Sequence, residues 1–430
     1  MRLYAILAAM TLVFTAQPAG AQPRKITLST AIQAALENNA NIQIAEEQTV
    51  QATARAQEQR AALLPNVNGV ASYLNQSINL SARGFRFPGV PILIGPFSAF
   101  DLRVQFSEPI LDLSLLRRYQ SSRRGADASE FETEALKNKV AAMVARLYFN
   151  VQRSRAMVES FKAQIDLDNS LLKLARDRQE FGAGTVLDVT RAESRLATDQ
   201  HRMLAAQNEA RTAELQLLRA MGERPSPQVE LADSLDPSLT DVETPDRAVQ
   251  IAFQNRPEIK AEERKVEAAR LLARASKAER FPTVNVFGDY GDSGNREIFV
   301  PTRAIGIQLQ LPLFDGGRRS ARRTTTDSQL RQAEVRANDM RDEIELEVRV
   351  AIDNLTTARE QLRATEQALK LAQEELELSR LRFEAQVSTQ LDVVNAQAQL
   401  SDVRSRQVNA QALLKSAEVE YQRATGVVIR

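Results

Sequence analysis

Cysteine and tryptophan are absent from the 430 residues, and histidine occurs once. Without thiols there is no disulfide, no thiolate nucleophile and no cysteine-held metal. The lone His201 falls on an expected helix among Gln200, Arg202 and Gln207, where it reads as a solvated or interhelical side chain. An excess of either charge is missing too. The 56 basic and 55 acidic residues leave a net charge of +1, which speaks against a general nucleic-acid binder. These charges spread along helical stretches such as Arg336–Arg349 as solvated faces, not as one-sign blocks. Beyond the amino-terminal segment no run reaches ~18 unbroken apolar residues, so no membrane-spanning helix is expected.

Chemistry-bearing clusters are equally scarce. Glu374-Glu375-Leu376-Glu377 and Asp342-Glu343-Ile344-Glu345 place successive carboxylates on different sides of a helix, with no histidine or cysteine beside them. Gly316-Gly317-Arg318-Arg319 has neither a Walker Lys-Ser/Thr nor dinucleotide spacing. It reads as a bend from strand to helix, with basic side chains near lipid headgroups. The expectation is a protein that is not an enzyme and holds no cofactor or metal.

The first 21 residues read as a signal peptide. Arg2 gives the positive start, Ala5 to Phe14 the apolar core and Ala19-Gly20-Ala21 the cleavage site. The mature chain would start near Gln22, and with no cysteine there it cannot be lipid-anchored. Membrane attachment then has to come from strands.

The mature chain repeats itself. Val144, Val151, Val158, Ile165 and Leu172 are spaced by seven, and so are Val348, Leu355, Leu362, Leu369 and Leu376, each 204 positions later. The same offset carries Leu187-Asp188-Val189 onto Leu391-Asp392-Val393 and Arg219-Ala220-Met221-Gly222 onto Arg423-Ala424-Thr425-Gly426. A shared ungapped offset of this length points to a duplicated helical unit. The first repeat covers 22–222: helix 27–64 capped by Ser29 or Thr30, strand pair 66–109, long helix 113–180 and helix 187–221. A proline-rich linker, 223–245, follows. The second repeat, 246–430, has helix 246–280, strand pair 283–312, long helix 315–382 and helix 389–425.

A helix from 113 to 180 would be roughly 100 Å long at 1.5 Å per residue. Such rods pack side by side, and the companion set Ala351, Ala358, Thr365, Ala372 and Ser379 is small enough for close approach. The strands alternate. Phe100, Leu102, Val104 and Phe106 interleave with Asp101, Arg103 and Gln105, while Ile305, Ile307, Leu309 and Leu311 interleave with Gly306, Gln308 and Gln310. Apolar-out, polar-in alternation is the pattern of an outer-membrane barrel. Four strands cannot close one alone, and eight barely leave room inside, so a duct favours three or more chains. A soluble sandwich flanking a coiled coil is the alternative that alternation alone leaves open. The first strand pair also carries a loop, Ser81 to Ser98, rich in Phe, Pro and Ile. With no tryptophan, Tyr73, Phe100, Phe106, Phe287 and Tyr290 are the candidates for an aromatic belt.

The leader, the two repeats, the strands fenced by Pro65, Pro109, Pro282 and Pro312, and the hairpin text Gly182-Ala183-Gly184-Thr185-Val186-Leu187-Asp188-Val189 together resemble the TolC-type outer-membrane efflux proteins. The resemblance covers residues 27 to 429. It implies a mixed, mainly α fold: a homotrimer with a 12-stranded barrel in outer-membrane lipid and a periplasmic α-barrel. It also implies a passive exit duct of a tripartite pump or type I secretion system, working with a periplasmic adaptor and an inner-membrane transporter.

Function would then concentrate at the helical hairpins near 179–190 and 383–394. The resemblance assigns adaptor contact to the tips, here Gly182, Gly184 and Thr185 in the first hairpin and Gln386, Ser388 and Thr389 in the second. The family pattern is an aromatic, a Gly three residues on and an Asp-Val six after that. The first hairpin has Gln179, Gly182 and Asp188; the second has Phe383, Gln386 and Asp392, so each keeps only part. Without Gly at 386 the second turn is expected to be less tight. Acidic residues that constrict the entrance in relatives match Asp392 and Asn395, leaving one carboxylate per chain. Asp392 reads equally as helix cap and as part of a charged ring. Relatives hold a tyrosine where Phe383 stands, so a hydroxyl lock is not expected. Leu187-Asp188 and Leu391-Asp392 are expected to flank the gate. The rival reading, a periplasmic coiled-coil adaptor or scaffold without a pore, would have hairpins interrupting one compact β-domain. A secreted enzyme on a helical stalk would need a polar cluster outside the repeats.

Overall fold

A computed structural model describes residues 24–85, 88–224, 229–233, 242–295, 297–385 and 387–427. The expected signal peptide, 1–21, lies outside the described residues.

A short strand β1 (Arg24–Ile26) leads into α1 (Leu28–Asn38) and α2 (Ala40–Ala61). The cap of α1 is Thr27, not Ser29 or Thr30. Thr30 Oγ1 instead accepts the Thr27 N–H at 2.9 Å, completing a capping box. The single helix expected over 27–64 is thus two. Asn39 breaks it in an extended conformation, accepts the Asn41 N–H, and donates its amide to the Ala220 carbonyl at 2.7 Å. The expected helix 246–280 divides in the same way into α5 (Pro245–Asn255) and α6 (Pro257–Ala278). Pro257 drives Arg256 out of the helical region, and Arg256 Nη1 reaches the Ala424 carbonyl at 3.4 Å. Positions 220 and 424 are the residues that the 204-residue offset aligns.

Strands β2 (Asn66–Asn79), β3 (Leu93–Leu111), β5 (Thr283–Gly294) and β6 (Phe299–Gln310) form an antiparallel sheet in the order β2-β3-β5-β6. Because β3 starts at Leu93, the last part of the expected Ser81–Ser98 loop is strand. Pro109, expected to end that strand, lies inside it at a register shift between Pro109 and Leu111. A bulge is where a strand tolerates a residue without an N–H. Pro65 and Pro282 directly precede β2 and β5, and Pro312 follows β6.

Register separates the faces. Val67–Phe106, Ala71–Leu102, Val286–Ile307 and Val284–Leu309 are cross-strand pairs of one apolar face. Most of its side chains are exposed in the single chain, Ile305 at 81%, while Phe106, Val284 and Val286 are half-buried. On the other face Arg103 bridges Asp101 at 2.5 Å and Asp289 at 3.0 Å. Phe287 belongs to this polar side, paired with Ser107 and Gly306, and so leaves the aromatic-belt set. A Cβ on Gly306 would come within 2.8 Å of the Phe287 ring, and one on Gly288 within 2.4 Å of the Phe106 ring. These glycines let aromatics lie over the backbone.

Helix α3 (Leu113–Glu180) is 68 residues long and returns through α4 (Val186–Ala220); α7 (Arg318–Glu384), of 67, returns through α8 (Gln390–Thr425). α7 begins three residues later than expected because Gly316 and Gly317, both at positive φ, make the bend. Helix α6 packs between α3 and α7, and α2 on the far side of α3, so the helix order matches the strand order. Most of the heptad stripe is buried, with Val144, Val151, Val348 and Leu355 all at 0% exposure, while Val158, Ile165 and Leu369 are half-buried. Burying each Leu- or Val-sized group contributes about 1.5–3 kcal/mol. Two apolar clusters brace the middle, one around Ile32, Tyr148 and Leu217, the other around Val249, Val348 and Leu414. The linker is not plain coil: β4 (Val229–Leu231) pairs in parallel with β1, and Tyr148 donates its hydroxyl to Asp233 at 2.8 Å. Among the described residues, no helix is long and apolar enough to cross a membrane.

Candidate functional site at the helical hairpins

The two hairpins close alike. In the first, Ala183 N–H donates to the Arg178 carbonyl at 2.8 Å; in the second, Val387 N–H donates to the Arg382 carbonyl at 3.0 Å. Gln386, on which the expectation of a less tight second turn rests, lies outside the described residues. In the first turn Gly182 takes φ +73°, and a Cβ on Gly184 would stand 3.0 Å from the Gln179 nitrogen.

Each return helix starts with the same reciprocal cap. Thr185 donates its N–H (3.1 Å) and hydroxyl (2.7 Å) to Asp188 Oδ2, and Asp188 N–H donates back to Thr185 Oγ1 at 3.2 Å. Thr389 gives Asp392 Oδ2 its N–H at 2.9 Å and its hydroxyl at 3.0 Å. The Thr185 hydroxyl, and then its N–H, hold the Asp188 carboxyl below the usual range. The Thr389 N–H, and then its hydroxyl, do the same for Asp392. Asp392 is thus a helix cap with its side chain exposed to solvent. Asn395, one turn later, is exposed as well.

Phe383 is 9% exposed and packs with Leu376, Val393 and Leu400. The Arg178 guanidinium of the first hairpin lies 4.0 Å above its ring. In place of a hydroxyl lock the two hairpins share a cation–π contact. Arg178 escaped the sequence reading because nothing local marks it; it is one of several charges in the last turns of α3. Phe181 also escaped, and at 85% exposure it stands out from the first tip. Ser388 is half-buried, and its hydroxyl has no hydrogen-bond partner among the described atoms. Asp188, Arg191, Ser194, Arg195 and Thr198 of α4 face Gln390, Leu391 and Val394 of α8 across a groove of about 340 Å³. The structure thus brings Asp188 and Leu391 to one place, with Leu187 exposed nearby at 55%.

Paired long-helix hairpins continuing into an open, two-faced antiparallel sheet are the architecture of outer-membrane channel proteins. The family model "Outer membrane efflux protein" matches residues 31–223 and 248–427, and the chain belongs to that family of channel proteins. It is 28% identical over 295 residues to the outer membrane efflux protein BepC of Brucella suis, covering 65% of this chain and 61% of BepC. The chain therefore spans less than two thirds of that relative's length. It is 22% identical over 366 residues to the outer membrane protein TolC of Vibrio cholerae, covering 82% and 79%. The solved structure of the outer membrane protein VceC of Vibrio cholerae superposes with a TM-score of 0.82 at 20% identity, covering 94% of this chain and 97% of that one.

Proposed function

We propose that the protein is a passive exit duct across the outer membrane and periplasm, closed by three copies of a duplicated chain. The observation that carries this reading is the open sheet. Among the described residues both of its outer strands, β2 and β6, have one side unpaired, and open edges are not viable in lipid. The apolar face then meets hydrocarbon and the Arg103 face lines water. Two copies give eight strands, which pack shut inside, and three give twelve, which leave a channel. The helices beneath follow the strand order, so they close with it into a second, periplasmic tube. Nothing in this reading needs catalysis or a cofactor.

The hairpin ends form the periplasmic entrance. Asp392 serves there both as cap and, by threefold symmetry, as a ring of carboxylates favouring cations, with Asp188 and Phe383 behind it and Asn395 as a neutral second ring. The tips at Gly182, Gly184, Thr185, Gln386, Ser388 and Thr389 meet a periplasmic adaptor, which joins the duct to an inner-membrane transporter for efflux or type I secretion. A pore-less adaptor or scaffold is not supported, since its hairpins would interrupt one compact β-domain.

Electron-microscope class averages of the detergent-purified mature protein test the duct. A threefold hollow tube with a helical section roughly 100 Å long below a detergent belt is expected, and a solid or belt-free particle would refute it. In planar bilayers Asp392→Ala is expected to lower cation preference and Asn395→Asp to raise it. Unchanged currents in Asp392→Ala would remove the ring from the account.

A further inference from the structure

Where α8 of the second hairpin packs on the first, a cluster of buried polar side chains interrupts the apolar contacts. Asp168 of α3 and Asp199 of α4, both within the first hairpin, are 2% and 0% exposed, and they lie near enough for Asp199 to act on the Asp168 carboxyl. Gln164, one turn earlier on α3, donates Nε2 to Asp168 Oδ1 at 3.1 Å. From α8, Gln397 donates Nε2 to the same oxygen at 2.5 Å. Both amides are 1% exposed. The charged groups around the pair come from α4: Arg195 Nε lies 2.9 Å from Asp199 Oδ2, and Arg202 Nη1 lies 3.1 Å from Asp199 Oδ1. What α8 brings to Asp168 is the neutral Gln397 amide.

Two oxygens are left over. Asp168 Oδ2 has no hydrogen-bond partner, and Asp199 Oδ2 touches Arg195 without the geometry of a hydrogen bond. Buried polar atoms are satisfied as a rule, and each exception calls for a missing partner. A metal ion is a poor candidate beside two guanidiniums. A single proton held between the carboxyls gives Asp168 Oδ2 a partner, as in other buried carboxyl pairs where two like charges cannot both ionise. Burial, and then the facing Asp199, push the Asp168 carboxyl up to about 6.

We propose that Asp168 and Asp199 share one proton, which with the Gln397 amide clasps α3, α4 and α8 together, so that its release loosens the seam between the two hairpins. Losing the proton leaves two carboxylates facing each other in a dry seam, and the helices part to admit water. Asp168 lies 12 residues before the end of α3, roughly 18 Å from the turn at 1.5 Å per residue. Only the consequence for transport rests on the exit-duct reading: an entrance looser at pH 8 than at pH 5. Sharing of the proton does not depend on it.

Infrared difference spectra of the full-length mature protein in detergent, titrated from pH 5 to 8, test the proposal. A buried protonated carboxyl band is expected at pH 5, lost with a midpoint near 6, and absent in Asp168→Asn. Hydrogen exchange of α8 amides around Gln397, corrected for the chemical rate, is expected to be about tenfold faster at pH 8, the ratio that one unit of pKa represents. The same ratio should be near one in Asp168→Asn. Gln397→Leu should keep the band and exchange fast at both pH values. A wild type with no titrating band, or with pH-independent exchange in α8, would overturn the clasp without needing any variant to fold. A titrating band in particles that form no threefold tube would sink the duct and leave the clasp. A threefold tube without the band would do the reverse.

Discussion

The two hairpins share a backbone and differ in what they do with an aromatic ring. Both close with the same turn bond and start their return helix on a Thr–Asp box. Yet the first presents Phe181 at 85% exposure and the second buries Phe383 at 9% beneath Arg178. The 204-residue offset puts Phe383 opposite Gln179, two positions before Phe181. Two residues are about 200° around a helix, so the ring moves from the packed side to the free side. A tip is thus divided in labour by side-chain phase alone: one hairpin offers a surface, the other holds the pair together.

That contrast can be broken in graded ways. Phe383→Ala should cost about 3 kcal/mol of local stability, read as faster hydrogen exchange across both tips. Phe181→Ala should change exchange by under about 0.5 kcal/mol, and equal effects would erase the distinction. Gly182→Ala places a Cβ at φ +73°, which should cost about 1–2 kcal/mol and loosen the first turn only. Thr185→Ala removes a cap from the first hairpin for about 1 kcal/mol, seen as fraying of α4 while α8 is unchanged. The smallest effect is with pH. Asp188 has its carboxyl lowered from 3.8, so its contribution is complete above that value and is lost as pH falls through the lower folded one. Exchange in the first turn of α4 should rise on acidification below pH 4, and this rise should flatten in Thr185→Ala.

Much of this was legible in the chain. The span of α3 follows from its heptads and the stops on either side, and the strand faces follow from alternation. What stayed hidden has causes far away in sequence. Asn39 breaks the first helix because its amide is needed by a carbonyl 181 residues later. Pro109 sits inside β3 because a bulge opposite β5 makes room for it. Phe287 looks like a belt residue until the register places it over Gly306 on the polar face. At the hairpins the aspartates were visible, but the partner of Phe383 was not, since the Arg178 contact exists only once the two hairpins lie together. The Asp168–Asp199 pair was missed for the same reason: each lies alone among polar neighbours in its own helix.

The bare margins of the sheet fix how such a protein is made. β2 and β6 run 14 and 12 residues, and along their outer sides backbone N–H and C=O groups await a neighbour. In hydrocarbon each unmet group costs several kcal/mol, so one chain alone has no inserted state worth populating. In the proposed trimer, recruitment therefore has to come before or together with insertion, and the rate of biogenesis should climb steeply with the supply of chains. A scarce subunit would wait in the aqueous compartment with its strands unprotected, a substrate for chaperones and proteases until its companions arrive.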